Sequence, residues 1–140
     1  MNLMTREEML KLLGEGKSAL EVSYEKWKRI ATEEGIDFLL SMTYSNSEVY
    51  FKNGTCALCE VNDNECENCY LGEQVDNGDI EPEFNCSGNW YEFNESIIEK
   101  HIDVALYYAE KLVEEILYNM KIENKKKGGK HEKPRRIKKT

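Results

Sequence analysis

The sequence has no apolar run of about 18 residues, the length that a membrane-spanning helix requires. Its N-terminal residues also lack the basic segment followed by an apolar stretch that marks a secretory signal. We therefore expect a cytoplasmic protein that makes no contact with a membrane. In such a reducing compartment, clustered cysteines bind metals more often than they form disulfides.

Positive charge is missing from residues 53–99, which contain no Lys, Arg or His but twelve carboxylates. Because phosphate binding needs Lys or Arg, this segment is excluded as a nucleic-acid contact. A reactive thiolate also needs positive neighbours, which the segment does not itself contain. A Ser/His/Asp set, a phosphate-binding loop and an H-E-x-x-H motif are absent as well. We therefore predict that the protein is not an enzyme.

Five cysteines provide the clearest chemical signal. Cys56 and Cys59 form one C-x-x-C pair, Cys66 and Cys69 form a second pair, and Cys86 follows later. Two such pairs supply the four thiolates that tetrahedral Zn²⁺ prefers, so we predict a zinc site, with Cys86 as alternate ligand or buried neighbour. The six-residue gap allows only a compact double turn. An iron–sulfur cluster, which also takes four cysteines, and disulfides or free thiols are the alternatives.

Hydrophobic periodicity predicts three helices. The first begins at Thr5 and the second at Ser18, each with a capping-box sequence, and the third covers approximately residues 95–123. Between them, the apolar run 36–40 and the segment 48–52, rich in strand formers, predict one or two short strands. The expected fold class is therefore α+β but mainly helical, with three helices packed around a small cysteine-rich metal-binding insert.

The third predicted helix carries a broad apolar stripe. Residues spaced by three and four along one face should be buried against the first two helices. The same stripe could instead form the seam of a homodimer. We favour packing within one chain, because a protein of 140 residues needs its own core. The members of the stripe are Ile98, Ile102, Ala105, Ala109, Leu112 and Ile116.

The chain ends in a strongly basic tail. Residues 1–124 should form the single metal-stabilised domain, and residues 125–140, which hold nine Lys/Arg and one Glu, should be disordered when alone. Such a tail can be a solubilising segment, a contact for nucleic-acid phosphates, or a clasp over the acidic body. Its candidate phosphate contacts are Lys125, Lys126, Lys127, Lys130, Arg135, Arg136, Lys138 and Lys139.

One resemblance follows from these motifs. The run from Glu15 to Trp27, followed by Cys-Ala-Leu-Cys, a second C-x-x-C and a later Cys, resembles a family of small uncharacterised proteins of phages, prophages and microbes. The sequence departs from that family where Tyr70 and Asn89-Trp90-Tyr91 replace proline-containing positions. The resemblance implies a metal-binding fold and viral ancestry, and therefore a location in a host cytoplasm.

The uneven charge distribution leads to a functional prediction. We expect a non-enzymatic zinc-binding module whose acidic, aromatic-edged surface binds a protein with a basic surface. A specific version is a phage-type inhibitor of a host defence or nucleic-acid-handling protein. The alternatives are nucleic-acid binding through the tail and an iron–sulfur or thiol redox protein. The residues predicted to form the partner surface are Glu60, Asp63, Glu65, Glu67, Trp90 and Tyr91.

Overall fold

The computed structural model describes residues 2–52, 56–62, 69–76, 83–125 and 136–139. Within these ranges the chain forms seven α-helices and one 3₁₀-helix, which covers Glu48–Tyr50. The α-helices are α1 (Arg6–Gly14), α2 (Ala19–Ile30), α3 (Glu33–Leu40), α4 (Tyr44–Ser47), α5 (Ala57–Val61), α6 (Gly88–Ile98) and α7 (Ile102–Lys125). The strands are β1 (Glu73–Asp76), β2 (Glu83–Asn85) and β3 (Arg136–Lys139). None of the helices in these ranges combines the length and apolarity needed to cross a bilayer.

Side-chain caps fix where the first helices begin. The Thr5 hydroxyl accepts from the Glu8 amide at 3.2 Å, and the Ser18 hydroxyl accepts from the Glu21 amide at 3.1 Å. Both bonds satisfy an amide that the helix itself leaves without a partner. The two predicted helix starts are therefore confirmed.

The core lies where α7 packs against α2, α3 and α6. Trp27 meets Phe93 edge-on with ring centroids 5.0 Å apart, and Phe93 meets Phe51 at 5.3 Å. The inner part of the predicted apolar stripe, from Ala105 to Ile116, is buried against these elements, which confirms packing within one chain. Two outlying members of that stripe, Ile98 and Ile102, are exposed.

The predicted α+β fold class is wrong, because the described part of the packed body contains seven α-helices instead of three and no strand where strands were predicted. Both segments predicted as strands are helical: residues 36–40 belong to α3, and residues 48–50 form the 3₁₀-helix. The Thr32 hydroxyl caps α3 by accepting from the Gly35 amide at 2.9 Å, and α3 then turns its apolar residues toward the core. The Thr32 cap therefore makes a helix of an apolar run whose pattern fits a strand equally well.

The long helix predicted over residues 95–123 is also wrong, because the chain forms two helices there. α6 ends at Ile98 and α7 begins at Ile102. Between them Lys100 adopts a left-handed conformation, with φ at 59°, which reverses the direction of the helical chain. The two helices then pack against each other, so the apolar residues of this region are divided between them.

Three short strands form a small sheet in the order β2–β1–β3. β1 is antiparallel to β2, with Glu73 opposite Asn85, and parallel to β3, with Glu73 opposite Arg136. The side chains described in the core lie on helices and adjoining turns. The basic tail thus contributes one strand, whereas residues 126–135 lie outside the described part, and the predicted boundary at 124 stays a prediction.

A close approach of backbones gives a test of the α2–α3 junction. A Cβ atom on Gly35 would lie 2.6 Å from the carbonyl oxygens of both Arg29 and Ile30. We therefore expect Gly35→Ala to lower the free energy of unfolding by about 1–3 kcal/mol, because neither backbone can yield easily. Gly14→Ala is the matched control, since a Cβ there meets nothing within 4 Å. Equal urea midpoints for the two variants would contradict the close approach of the two backbones at the α2–α3 junction.

Candidate metal centre

The first cysteine pair lies on a short helix that packs against α2. Cys56 is the residue that precedes α5, and Cys59 lies within that helix. Ala57 and Leu58, which separate the two cysteines, are buried at 0% and 1% exposure. Because both intervening side chains are directed into the core, the two thiols are held at its margin.

Cys69 belongs to a turn that is fixed on three sides. The Leu71 amide donates to the Cys69 sulfur at 3.4 Å, an interaction that stabilises a thiolate in the way that outer-shell donors do in metal sites. The next amide, that of Gly72, donates to the Cys69 carbonyl at 3.0 Å. The Tyr70 hydroxyl donates a hydrogen bond to the carboxylate of Glu123 on α7. Burial, the larger cause, and this hydrogen bond together raise the pKa of the Tyr70 phenol to about 12.

Cys86 is positioned through its neighbour Ser87. The Ser87 hydroxyl donates to Glu115 Oε1 at 2.6 Å and accepts from the Asn89 amide at 3.1 Å. Glu115 is a buried carboxylate of α7, with 6% exposure. The third cysteine segment is therefore attached to the longest helix of the protein by a charge-assisted hydrogen bond.

A buried lysine lies beside these thiols. Lys26 of α2 is 1% exposed, and its ammonium lies 5.3 Å from the centroid of the Trp27 ring. Burial lowers the pKa of Lys26, whereas the negative charge of Cys56, Cys59 and Cys86 acts to raise it. A buried ammonium is costly unless an opposite charge is near, and the cysteines provide that charge.

The electrostatics of the first pair are strongly asymmetric. The hydrogen bond from Cys59, together with the positive charge of Lys26, lowers the pKa of Cys56 to about 5. The pKa of Cys59 is raised, because its thiol hydrogen-bonds Cys56, is partly buried and feels the negative charge of Cys56, Cys69 and Cys86. Four of the five predicted ligands thus share one electrostatic neighbourhood.

The structure tests the predicted ligand set only in part. Cys56, Cys59, Cys69 and Cys86 come from three segments of the chain. The charges of Cys56, Cys59 and Cys86 act on Lys26, whereas Cys69 acts on Cys59. Cys66 lies outside the described residues. Within the described part of the chain, no three His, Cys, Asp or Glu side chains form a ready-made metal-binding group. The zinc site therefore stays a prediction.

The predicted partner surface is described in part. Glu60 is exposed and pairs with Arg6 of α1 at 3.1 Å, so a positive charge from outside residues 53–99 reaches this surface. Trp90 is half-buried and donates from Nε1 to the Phe51 carbonyl at 2.8 Å, and Tyr91 beside it is exposed. The predicted residues that lie outside the described ranges are Asp63, Glu65 and Glu67.

The structure describes four of the eight candidate phosphate contacts of the tail. Lys125 is the last residue of α7, and β3 contains Arg136, Lys138 and Lys139. The others, Lys126, Lys127, Lys130 and Arg135, lie outside the described residues. The backbone of β3 runs beside β1, a strand from the acidic segment, which is the arrangement that the clasp alternative requires.

Sequence reasoning missed Lys26, although the sequence contains a signal for it. Lysine at position 26 interrupts a row of apolar residues at four-residue spacing, Val22, Lys26 and Ile30, and the structure buries all three. Residues 53–99 contain no positive charge of their own for a thiolate. The positive charge comes from α2, which packs against α5.

Comparison with known proteins does not change this description of the site. Family models, curated proteins and solved structures all gave no match to the chain. The resemblance to the cysteine-cluster family therefore stays a prediction. The candidate site is defined by its own residues, which are four cysteines whose charges interact, three of them with the buried Lys26.

Proposed function

We propose that the chain is a small, non-enzymatic zinc-binding protein that acts by binding another protein. In this proposal Cys56, Cys59 and Cys86 supply three thiolates, and the second C-x-x-C pair, Cys66 and Cys69, supplies the fourth. The observation that carries the proposal is the buried ammonium of Lys26 at the margin of this cysteine cluster.

The donor set and its surroundings fit zinc. Four thiolates around one Zn²⁺ leave a net charge of about −2, which is expensive at the margin of an apolar core unless a positive group is near. Lys26 is that group, and it neutralises half of the excess. The Leu71 amide adds a hydrogen bond to Cys69, as outer-shell donors do in metal centres.

The metal would have a structural role in this arrangement. Its ligands come from the α5 segment, from the second C-x-x-C pair and from the turn at Cys86. The described part of each segment is already anchored to α2 or α7. A site filled by four protein sulfurs leaves no open position for a substrate. The chemistry of the site is therefore that of a cross-link between three loops.

The surface beside the site supports a role in protein binding. Exposed Glu60 and Tyr91 lie on the segment that carries twelve carboxylates and no basic residue. The pair between Glu60 and Arg6 is largely solvated, so it offsets little of that negative charge. Such a surface suits a partner with a basic groove, of which a nucleic-acid-handling protein is the version implied by the resemblance.

Metal analysis of the unfused protein tests the proposal directly. We expect one zinc per chain and no absorption above 300 nm from the metal site, because zinc has no d–d transitions. Bound iron with absorption near about 400 nm would overturn zinc in favour of a cluster. A folded protein that contains no metal after purification, and that binds none when zinc is added, would overturn both.

A thiol redox protein is the second candidate, and the asymmetry of Cys56 and Cys59 favours it. A C-x-x-C pair with one low-pKa thiol beside a buried positive charge is the arrangement found in dithiol oxidoreductases. Here the pKa of Cys56 is about 5, and that of its partner Cys59 is raised. Lys26 supplies the positive neighbour that residues 53–99 lack.

Alkylation of the metal-free protein tests the predicted asymmetry. We expect iodoacetamide to modify Cys56 first, with a half-maximal rate near pH 5, well below the ordinary thiol pKa of 9.0. Lys26→Met should move the half-maximal rate upward, since it removes the charge that favours the thiolate. Tandem mass spectrometry after cleavage at Glu and Asp identifies the modified residue, because trypsin leaves all five cysteines on one peptide. Uniform labelling of all five cysteines, with a midpoint near the ordinary value, would contradict the structure.

A further inference from the structure

The outward face of α7 carries a second stripe of residues that the core does not use. Its positions alternate by three and four, which keeps them on one face of a helix over about five turns. Three of its members are exposed hydrophobic residues: Val104 is 43% exposed, Tyr107 is 51% exposed and Tyr118 is 59% exposed. We call it the outer stripe, and it consists of Val104, Tyr107, Lys111, Glu114, Tyr118 and Lys121.

The outer stripe is distinct from the seam that the sequence predicted for a homodimer. The central residues of that seam, such as Ala109, Leu112 and Ile116, are fully buried within the chain and cannot meet a second copy. The outer stripe has the 3–4 spacing of heptad a and d positions, which is the spacing that lets two helices pack along their length. α7 therefore has one face for its own core and another face that remains exposed.

The outer stripe is complementary to itself when two copies run antiparallel. If the symmetry axis passes between positions 112 and 113, Lys111 of one copy lies opposite Glu114 of the other, and the same pair occurs twice. The same register places Tyr107 opposite Tyr118. Opposite charges and aromatic rings thus meet across the axis, as a symmetric interface requires.

The structure also provides space for this contact. A groove of about 550 Å³ lies between α2 and α7, with Lys28 and Ala31 on one side and Tyr107, Lys111 and Glu114 on the other. The groove is at the level of Tyr107, where the register places the second copy's Tyr118 ring. An aromatic ring that enters a groove with an apolar floor and charged edges is a common anchor of protein interfaces.

Contacts within one chain already orient the charged centre of the stripe. Lys111 Nζ lies 3.4 Å from Glu114 Oε2 and 5.3 Å from the centroid of the Tyr107 ring. An exposed pair of this kind contributes little by itself. In the antiparallel register, the two Lys111–Glu114 pairs become one network of four charges, which is where exposed ion pairs gain their value.

We propose that a second copy of this chain docks antiparallel on the outer stripe of α7, giving a symmetric homodimer centred on Lys111 and Glu114. The proposal does not rest on the zinc site, because none of the stripe residues contacts a cysteine in the described interactions. Both aromatic members and two of the three charged members of the stripe take part, so charge and apolar surface can be tested separately.

Charge reversal tests the register. Sedimentation velocity on the full-length protein, as purified, should show a monomer–dimer equilibrium that shifts with concentration. Lys111→Glu should weaken the dimer at least about tenfold, because it places four carboxylates together at the axis. The double variant Lys111→Glu/Glu114→Lys should restore the affinity to within about threefold, since both pairs are re-formed with the charges exchanged. It also keeps the pair within each chain, so the fold of the monomer is matched.

Aromatic truncation tests the apolar part with a matched control. Tyr118→Ser should weaken the dimer at least about tenfold if its ring fills the groove of the second copy. Val49→Ser removes a comparably exposed hydrophobic residue, 55% exposed, that lies outside the outer stripe and its groove, and it should leave the dimer unchanged. A monomer at every concentration overturns the proposal, as does a dimer that tolerates both Tyr118→Ser and Lys111→Glu. Circular dichroism of each variant shows whether a loss of dimer reflects unfolding.

Discussion

Zinc removal by a strong chelator is expected to remove most of the free energy of unfolding of this protein. Structural zinc binds zinc-finger peptides with an apparent free energy of about 10–16 kcal/mol, whereas a small domain is stable by about 5–15 kcal/mol in total. The segments around Cys56, Cys69 and Cys86 also carry Leu58 and Leu71 into the core. Loss of the cross-link would therefore expose core residues as well as the thiols.

Single cysteine variants show whether the proposed ligands cause this effect. Losing an outer-shell partner typically weakens metal binding by about 10–100-fold. Cys86→Ser removes a ligand itself, so it should weaken zinc binding by more than that. Either Cys66→Ser or Cys69→Ser should match it, and the other should keep one zinc per chain. Adding zinc back to the stripped native protein is the control, because it should restore the thermal transition. If the chelated protein keeps the free energy of unfolding of the zinc-bound one, the site does not hold the fold together.

The outer-shell support of Cys86 gives a milder version of the same experiment. Ser87→Ala removes the hydroxyl that donates to Glu115 and accepts from the Asn89 amide. We expect it to weaken zinc binding by about 10–100-fold and to leave the stoichiometry at one. Competition with a chromophoric chelator measures the affinity. An unchanged affinity would show that the contact with α7 does not position Cys86.

The parts of the fold that sequence predicts are those with a local physical cause. The starts of α1 and α2 follow from hydroxyls that accept specific amides, and the buried stripe of α7 follows from its spacing. The strand predicted at residues 36–40 fails because a short apolar run fits a strand or a helix equally well. The Thr32 cap, visible in the sequence, was the signal that decides between them.

The break between α6 and α7 is harder to predict. Lys100 has the left-handed conformation at which helices usually place glycine or asparagine. The local residue preferences do not predict a turn at this lysine. The turn is stabilised by the tertiary packing of α6 on α7. The same reason explains why Lys26 was overlooked, because its role depends on cysteines that are adjacent only after folding.

The substitution Lys26→Met is expected to separate the two roles of this buried lysine. The methionine side chain has similar length and no charge, so it relieves the cost of burying an ammonium. The metal-free protein should therefore be as stable as the native one or more stable. With zinc bound, the same change leaves a thiolate centre of about −2 without its buried counter-charge. We expect zinc affinity to fall about 10–100-fold, as it does when an outer-shell partner is lost.

The direction of the effect distinguishes a counter-charge from a packing residue. Lys28→Met, two residues further along α2, is the matched control, because Lys28 is exposed and its removal should not change zinc affinity. Lys26→Glu should prevent zinc binding altogether, since it adds a third negative charge at a buried position. Chelator competition and urea unfolding, each with and without zinc, measure both quantities. If Lys26→Met instead lowers the stability of the metal-free protein by about 3–5 kcal/mol and leaves zinc affinity unchanged, the lysine pairs with another group and is not the counter-charge of the cysteine cluster.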